Sequence, residues 1–358
     1  MKRLLAVCLC LCLLLCGCGG QAPESTPPAT PEPTPLVTPA PTPEPTPEPT
    51  PEPEPVVLFR NPLTGEPRET AMVTRPYAVV INNLYQALPQ CGVSQADIVY
   101  EILVEGGITR TLAVFTSMDG VEKLGSLRSA RTYFVDLAQS LNAVFFHFGG
   151  SEYAFDMLSD TGHTHLDFMV GYHYRDSDRL NNGVAYEHTA FTTGEKVKQF
   201  VSDRGISMVM VEDGSVDYGY TFSNEPLTAG DSANKVVVSF GNGGKTTTMH
   251  YQSESGLYAA EQRGDDYIDG NTGEALTFKN VVVLNVKTTS NGYSMFATLT
   301  GTGDGCYARD GKVMPIKWSR ESADKPFVYT DVDGTPIQLG IGKTYVGIIP
   351  LNCEIAYE

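Results

Sequence analysis

DIVYEILVEGGITRTLAVFT, residues 97 to 116, is the stretch whose reading decides the fold of this chain. Ile, Val and Tyr alternate with period two on both sides of Gly106-Gly107. Two glycines tolerate the positive φ of a tight turn, so the pattern predicts a β-hairpin. With a two-residue turn, Glu105 faces Ile108, Leu103 faces Arg110 and Glu101 faces Leu112. Glu101, Glu105 and Arg110 then share one sheet face, with Arg110 diagonal to both carboxylates. That trio reads either as a cross-strand ion pair or as a functional polar cluster. A helix is the alternative, because Ser94-x-x-Asp97 can form a capping box.

Working outward, YAVVIN (77–82) predicts a buried strand. Tyr133, Phe134, Leu137, Ala138 and Leu141 fall on one face of a helix over 130–141. AVFFHF (143–148) returns to strand, and Gly149-Gly150-Ser151 opens a short helix at 152–158. Thr192-x-x-Glu195 is a capping box for a helix over about 194–204, closed by Gly205. Strand and helix alternate, which predicts an N-terminal α/β domain with a mixed sheet over 56–205. A connector over 206–232 follows. From 233 to 358, apolar runs such as VVVSF, NVVVLNV and TYVGIIPL are separated by Gly, Asn and Asp turns. Asp310-Gly311 and Asp333-Gly334 read as hairpin turns. This C-terminal domain is expected to be nearly all β, and the fold class is α+β.

Upstream of the body, Lys2 and Arg3 precede the uncharged run LLAVCLCLCLLLC (4–16). The run is short for a bilayer-spanning helix and has the length of a signal-peptide apolar region. Leu15-Cys16-Gly17-Cys18 resembles the bacterial lipobox. The resemblance implies a signal peptide over 1–17, a diacylglyceryl group on Cys18, and a place on the outer face of the cytoplasmic membrane. An ordinary secretory signal or an apolar anchor is the alternative. Residues 23 to 55 hold 15 of the 24 prolines, mostly as Thr-Pro-Glu-Pro repeats. Such a segment, within the stretch 18–55, has almost nothing to bury and is expected to stay extended as a stalk. At about 3.1 Å per residue it reaches on the order of 100 Å.

The chain carries −17. Setting aside the two basic residues of the signal and the six glutamates of the stalk leaves the body at −13. An acidic body argues against nucleic acid as a partner and against lying flat on anionic lipid. Beyond the signal and Cys18, the cysteines are Cys91, Cys306 and Cys353, an odd set that allows at most one disulfide. No zinc spacing is present.

Three constellations are candidates for chemistry. Arg128, Ser129 and Arg131 stand at the start of the 130–141 helix, where unpaired N–H groups and the positive dipole end favour an anion. Two arginines there are expected to face a phosphate or carboxylate ligand, or to pair with acids of the body. The hairpin supplies Arg110 and the carboxylates Asp97, Glu101 and Glu105. His147 and His188, with Arg175 and Arg179, are candidates for a general base or for ligand contacts, against the plainer reading of structural histidines. His163 and His165 are two apart in an expected loop. Asp331-Val-Asp333-Gly334 starts like a calcium loop but lacks the later ligands, so a turn explains it better. No G-x-S-x-G, P-loop or H-E-x-x-H motif occurs, and no metal or cofactor is expected.

RPYAVVINN (75–83), PQCGVSQADIVYEILVEGGITR (89–110), LGSLRSAR (124–131) and HFGGS (147–151) resemble the N-terminal domain of YerB-like bacterial lipoproteins. GDGCYARDGKVMPIKWSR (303–320) and GTPIQLGIGKTYVGIIP (334–350) resemble that family's C-terminal domain. The resemblance implies an anchor and two domains, and it supplies no reaction. Where a Pro-His-Asn run is expected, this chain has Glu187-His188-Thr189. The order of hairpin, SLRSAR and Gly-Gly is also similar in layout to LytR-CpsA-Psr wall phosphotransferases, in which arginines hold a polyprenyl pyrophosphate.

These readings lead to a membrane-anchored extracytoplasmic protein that binds an anionic ligand, a wall polymer or its lipid-linked precursor, in an accessory envelope role. A metal-dependent phosphotransferase or hydrolase, with carboxylates among Asp97, Glu101 and Glu105, is the enzymatic alternative. A scaffold for an envelope protein partner is the third.

Overall fold

The strand expected over 77–82 forms residue for residue, and it lies inside an eleven-stranded sheet. The computed structural model describes residues 59 to 212, 214 to 241 and 244 to 358. The signal, Cys18 and the Pro-rich stalk lie outside the described residues.

The N-terminal portion supplies strands β1 (Tyr77–Asn82), β2 (Ile98–Leu103), β3 (Thr109–Phe115), β4 (Val144–His147) and β5 (His165–Asp167). Its helices are α1 (Thr132–Ser140), α2 (Glu152–Thr161), α3 (Ser177–Asn181) and α4 (Gly194–Asp203). The C-terminal portion is almost entirely strand. It contributes β6 (Lys235–Ser239), β7 (Thr246–Gln252), β8 (Leu257–Gln262), β9 (Asn280–Val286), β10 (Gly301–Arg309), β11 (Lys312–Arg320), β12 (Thr344–Pro350) and β13 (Ile355–Tyr357). The expected mixed sheet with helices and the strand-rich second portion are both present.

The two portions share one sheet. Its central order is β11-β10-β9-β12-β2-β3-β1-β4-β5. β12 lies parallel to β9 on one side and to β2 on the other, with Gly347 opposite Val283 and Glu101. The described residues accordingly form a single compact unit. A smaller six-stranded sheet contains β8, β7, β6 and β13.

The central strands β1 to β4, β9 and β12 are buried on both faces, so they read as near-continuous apolar runs. Odd positions of β1 to β3 (Val79, Ile81, Val99, Ala113, Phe115) join a core with the smaller sheet and with Val197 and Phe200 of α4. Even positions (Ala78, Val80, Tyr100, Leu112, Val114) pack with Tyr133, Phe134 and Leu137 of α1 and Leu158 of α2. α1 forms because its apolar spacing matches 3.6 residues per turn. It ends where Asn142 takes a positive φ of 47°.

α2 is capped by Ser151 Oγ, which accepts from Ala154 N at 3.3 Å, and it runs three residues beyond the expected end, to Thr161 before Gly162. The cap of α4 is one residue later than expected. Thr193 Oγ1 accepts from Lys196 N, whereas Thr192 Oγ1 donates to the Tyr172 carbonyl. α3 has no apolar period and was not legible. Asp176 creates it by capping Arg179 N at 3.1 Å. At the β10–β11 turn Asp310 and Gly311 both have positive φ, which suits a two-residue hairpin. Asp331 Oδ1 accepts from Asp333 N and Thr335 N and so closes a turn. Cys91, Cys306 and Cys353 are buried free thiols. Among the described residues, no helix is long and apolar enough to cross a membrane.

Candidate functional site

The hairpin forms, but its register corrects the expectation. Leu103 pairs with Thr109, Ile102 with Arg110 and Glu101 with Thr111. Glu105, Gly106 and Gly107 make a 3-10 turn rather than sitting at the ends of a two-residue turn. Both glycines have left-handed φ, and Val104 N donates to the Ile108 carbonyl at 2.8 Å. A slip of one residue moves a whole strand to the other face. Glu101 and Arg110 therefore lie on opposite sides of the sheet and do not form one cluster.

Glu101 faces the smaller sheet. Its side chain and that of Lys245 are both 0% exposed and form an ion pair. Its carboxylate also accepts from Asn83 at 2.9 Å, Thr109 at 2.6 Å, Thr247 at 2.8 Å and the Tyr345 hydroxyl at 2.8 Å. Burial pushes the carboxyl up, but the Lys245 ammonium and these donors outweigh it and hold Glu101 below its ordinary value. Asp97 is also engaged: it accepts from Asn61 Nδ2 at 2.8 Å and from Thr116 N at 2.6 Å. Neither carboxylate reaches the arginines. Nothing in the sequence singles out Lys245 as the partner of Glu101, because 144 residues separate them.

Arg110 faces α1. It is 8% exposed, and its Nη1 donates to the Ser129 carbonyl at 3.0 Å. Among the described residues, its Nε has no hydrogen-bond partner and no carboxylate lies within ion-pair distance of the guanidinium. Burial, with Arg131 and Arg128 beside it, lowers its pKa to about 10. Arg131 is paired: its Nε and Nη2 grip Glu105 at 2.8–3.0 Å, and Met295 N donates to the same carboxylate at 3.1 Å. Glu105 thus bonds Arg131 directly and reaches Arg110 only through space, too weakly to offset its burial.

Arg128 and Ser129 are fixed by main-chain bonds on both sides. Arg128 N donates to the Val80 carbonyl, Phe148 N to the Arg128 carbonyl, and Ala130 N to the Gly149 carbonyl. α1 begins after Arg131 with no side-chain cap and no acid in its first turn. Arg128 Nη1 donates to the Glu187 carbonyl at 3.3 Å, and Arg175 Nη1 to the Tyr186 carbonyl at 2.7 Å. The Arg175 guanidinium stacks 3.9 Å over the Tyr186 ring and 5.0 Å from the Phe148 ring. His188 joins this corner, with its Nδ1 3.0 Å from Asn82 Nδ2. The amide donates, so the His188 proton sits on Nε2. Burial, then Arg128, lowers the His188 pKa.

His147 is buried and tied in a chain. Its Nδ1 donates to the Gly149 carbonyl at 2.8 Å, so its Nε2 accepts from His165 Nδ1 at 2.9 Å. Burial pushes His147 down to about 4 despite the nearby Asp167. It is a neutral ring that orders the Gly149-Gly150 loop. The sequence thus brings Arg110, Arg128, Ser129, Arg131 and Glu105 to the start of α1, with Arg175 and His188 alongside. Arg179 is directed elsewhere: its guanidinium bonds the Ala87 and Pro89 carbonyls and approaches Asp176. Among the described residues, no group of three or more His, Cys, Asp or Glu side chains is placed to hold a metal ion.

Two family descriptions match this chain: "Protein of unknown function (DUF3048) N-terminal domain" over residues 63–207 and the corresponding C-terminal domain over 236–346. A Bacillus subtilis (strain 168) protein named "Putative lipoprotein YerB" is 27% identical over 297 residues, covering 81% of this chain and 86% of the relative. The crystal structure of YerB protein from Bacillus subtilis superposes with a TM-score of 0.72 at 26% identity, covering 83% of this chain and 99% of the other. With both of its portions matched and its fold shared over that span, the chain belongs to the YerB-like family.

Proposed function

We propose that this chain is a lipid-anchored extracytoplasmic lipoprotein whose body binds an anionic ligand at Arg110, Arg128 and Arg175, beside the start of α1. The lipobox-like Leu15–Cys18 run and the name of the B. subtilis relative support the anchor. The observation that carries the ligand is the buried Arg110, with Nε unpartnered and the nearby Glu105 committed to Arg131. A buried guanidinium without a counter-charge is costly, and a bound anion removes that cost. Arg128 and Arg175 each spend one Nη on a carbonyl and keep further donors for such a ligand. A phosphate-bearing wall polymer or its lipid-linked precursor fits this charge.

The enzymatic reading draws less support, because it needs carboxylates among the arginines. Asp97 and Glu101 are bonded elsewhere, and Glu105 is saturated.

Thermal melting with pyrophosphate tests the binding reading. At a hundredfold excess over Kd, a ligand selective for the folded state adds about 2.7 kcal/mol. For about 300 residues this is a rise of roughly 4 °C. Arg128→Gln should remove most of the rise and leave the ligand-free melting point unchanged, because Arg128 donates only to a carbonyl. An equal rise in wild type and Arg128→Gln, or none in wild type, refutes the assignment.

A further inference from the structure

The loop Gly149-Gly150 joins β4 to α2 beside Ser129, and exposed apolar side chains flank it on two sides. On one side a 3-10 turn, Phe168–Val170, follows β5. Phe168 is buried, whereas Met169 and Val170 are 60% and 61% exposed. Asp167 fixes this display, because its Oδ1 accepts from Met169 N and from Gly149 N, both at 2.9 Å. On the other side α2 buries Ala154 and Leu158 and leaves Tyr153 and Phe155 exposed. These two rings are also held in place. The Phe155 ring lies edge-on to His147 at 5.8 Å, and the Tyr153 ring edge-on to Phe296 at 5.1 Å.

The apolar residues meet the anion donors at this loop. A β-carbon at Gly149 would stand 4.0 Å from both Met169 Cγ and Ser129 Oγ, and one at Gly150 only 3.1 Å from the Phe155 ring. The Gly149 carbonyl accepts from Ala130 N, and Phe148 N donates to the Arg128 carbonyl. The arginine segment and the apolar collar are therefore bonded to one short stretch of chain. Single exposed apolar side chains need no explanation, but a group of them adjoining polar donors marks an interaction site. Inorganic phosphate or a polymer of charged units leaves such side chains in water. The acidic body argues against a bilayer surface as their cover.

Given an anion site at Arg110, Arg128 and Arg175, we propose that its ligand is an amphiphile, a phosphate or pyrophosphate borne on a hydrocarbon chain. The inference rests on that site and chooses between the two sources its charge alone admits. The head lies at the arginines and Ser129. The chain leaves over Gly149-Gly150, against Met169, Val170 and Phe155. Absence of side chains at the two glycines keeps this path open, and the flexible, polarizable Met169 adapts to an irregular apolar surface.

The test is calorimetric titration of the full chain, held in phosphatidylcholine nanodiscs, with empty nanodiscs as the blank. The probes are pyrophosphate, farnesyl pyrophosphate, farnesol and a poly(glycerol phosphate) fragment. Burying two methylene groups is already worth roughly tenfold in affinity. Farnesyl pyrophosphate should therefore bind at least tenfold more tightly than pyrophosphate. Met169→Ser combined with Val170→Ser should remove at least fivefold of that gain and leave pyrophosphate affinity unchanged. Both side chains are exposed, and Asp167 bonds the main-chain N–H of Met169, so the double variant should melt with wild type. Val332→Ser alters an equally exposed apolar residue elsewhere and should change the binding of neither ligand. Three results would overturn the proposal and leave the anion site standing: farnesyl pyrophosphate no tighter than pyrophosphate, a gain undiminished in the double variant, or the polymer fragment binding as tightly as farnesyl pyrophosphate. Farnesol binding as tightly as farnesyl pyrophosphate would overturn it too, since the head would then contribute nothing. Binding of neither pyrophosphate nor farnesyl pyrophosphate would refute the anion site itself, and this inference with it.

Discussion

Lys245→Met is the perturbation with the clearest expected size. It deletes the ammonium beside Glu101 while keeping the apolar stem. Both side chains are 0% exposed, so no water can replace the lost cation. Breaking a buried pair by removing one partner costs about 3–5 kcal/mol. Asn83, Thr109, Thr247 and Tyr345 still donate to the carboxylate, which places the loss near the lower end. With an unfolding entropy of about 2 cal/mol/K per residue over about 300 residues, the melting point should fall by roughly 5–8 °C.

The sign of the pH dependence is a second check. Without the ammonium, burial dominates and raises the folded pKa of Glu101 above its unfolded value. Such a group contributes stability below the unfolded value, and that stability is lost as pH rises through the folded one. The deficit of the variant against wild type should therefore shrink from pH 8 to pH 5. Adding Glu101→Gln should recover at least half of it at pH 8. Urea titrations of both variants across that range measure this. A loss below about 1 kcal/mol, or a deficit that does not change with pH, would refute the reasoning.

Burial holds His147 at about 4, well below an ordinary histidine, so the unfolded chain takes up a proton that the folded one refuses. Stability should be complete above about pH 6.5 and fall toward pH 4; His147→Gln should flatten that slope by on the order of 1 kcal/mol per pH unit, and an unchanged slope counts against a neutral folded His147. Glu105→Gln frees Arg131, so pyrophosphate should bind more tightly while the ligand-free protein loses about 1–3 kcal/mol; calorimetry and melting together check both signs. Cys18→Ala should abolish lipid labelling and release the body from membranes, and retention in the membrane fraction would contradict lipidation at that residue.

Much of the architecture was legible because it depends on periodicity. β1 and α1 follow from repeats of two and 3.6 residues, and the Asp310-Gly311 turn follows from its need for positive φ. The continuous sheet was not legible. Nothing local tells β12 that its neighbours are β9 and β2, since both of its pairings are long-range. The candidate site was legible in composition but not in pairing. Arg128, Ser129 and Arg131 do stand at the start of a helix. Which arginine keeps its charge free depends on the hairpin register, and Gly106 and Gly107 permit more than one turn there. The one-residue slip sent Glu101 to Lys245 and left Arg110 alone, an outcome that alternation cannot distinguish.

The place of β12 has a consequence for how the molecule is made. Residues 344 to 350 occupy the middle of the main sheet although they come near the end of the chain. A chain made amino end first delivers them after both of the strands they must lie between. Until they arrive, β2 and β9 each hold out a row of unpaired main-chain groups, the kind of open edge that recruits foreign strands. Closure then inserts one strand between two waiting edges, with every pairing distant in sequence, which is slow. Without residues 344 to 350 the two halves of the sheet have no strand to join them. Folding of this protein is thus exposed to edge-to-edge association until β12 is in place.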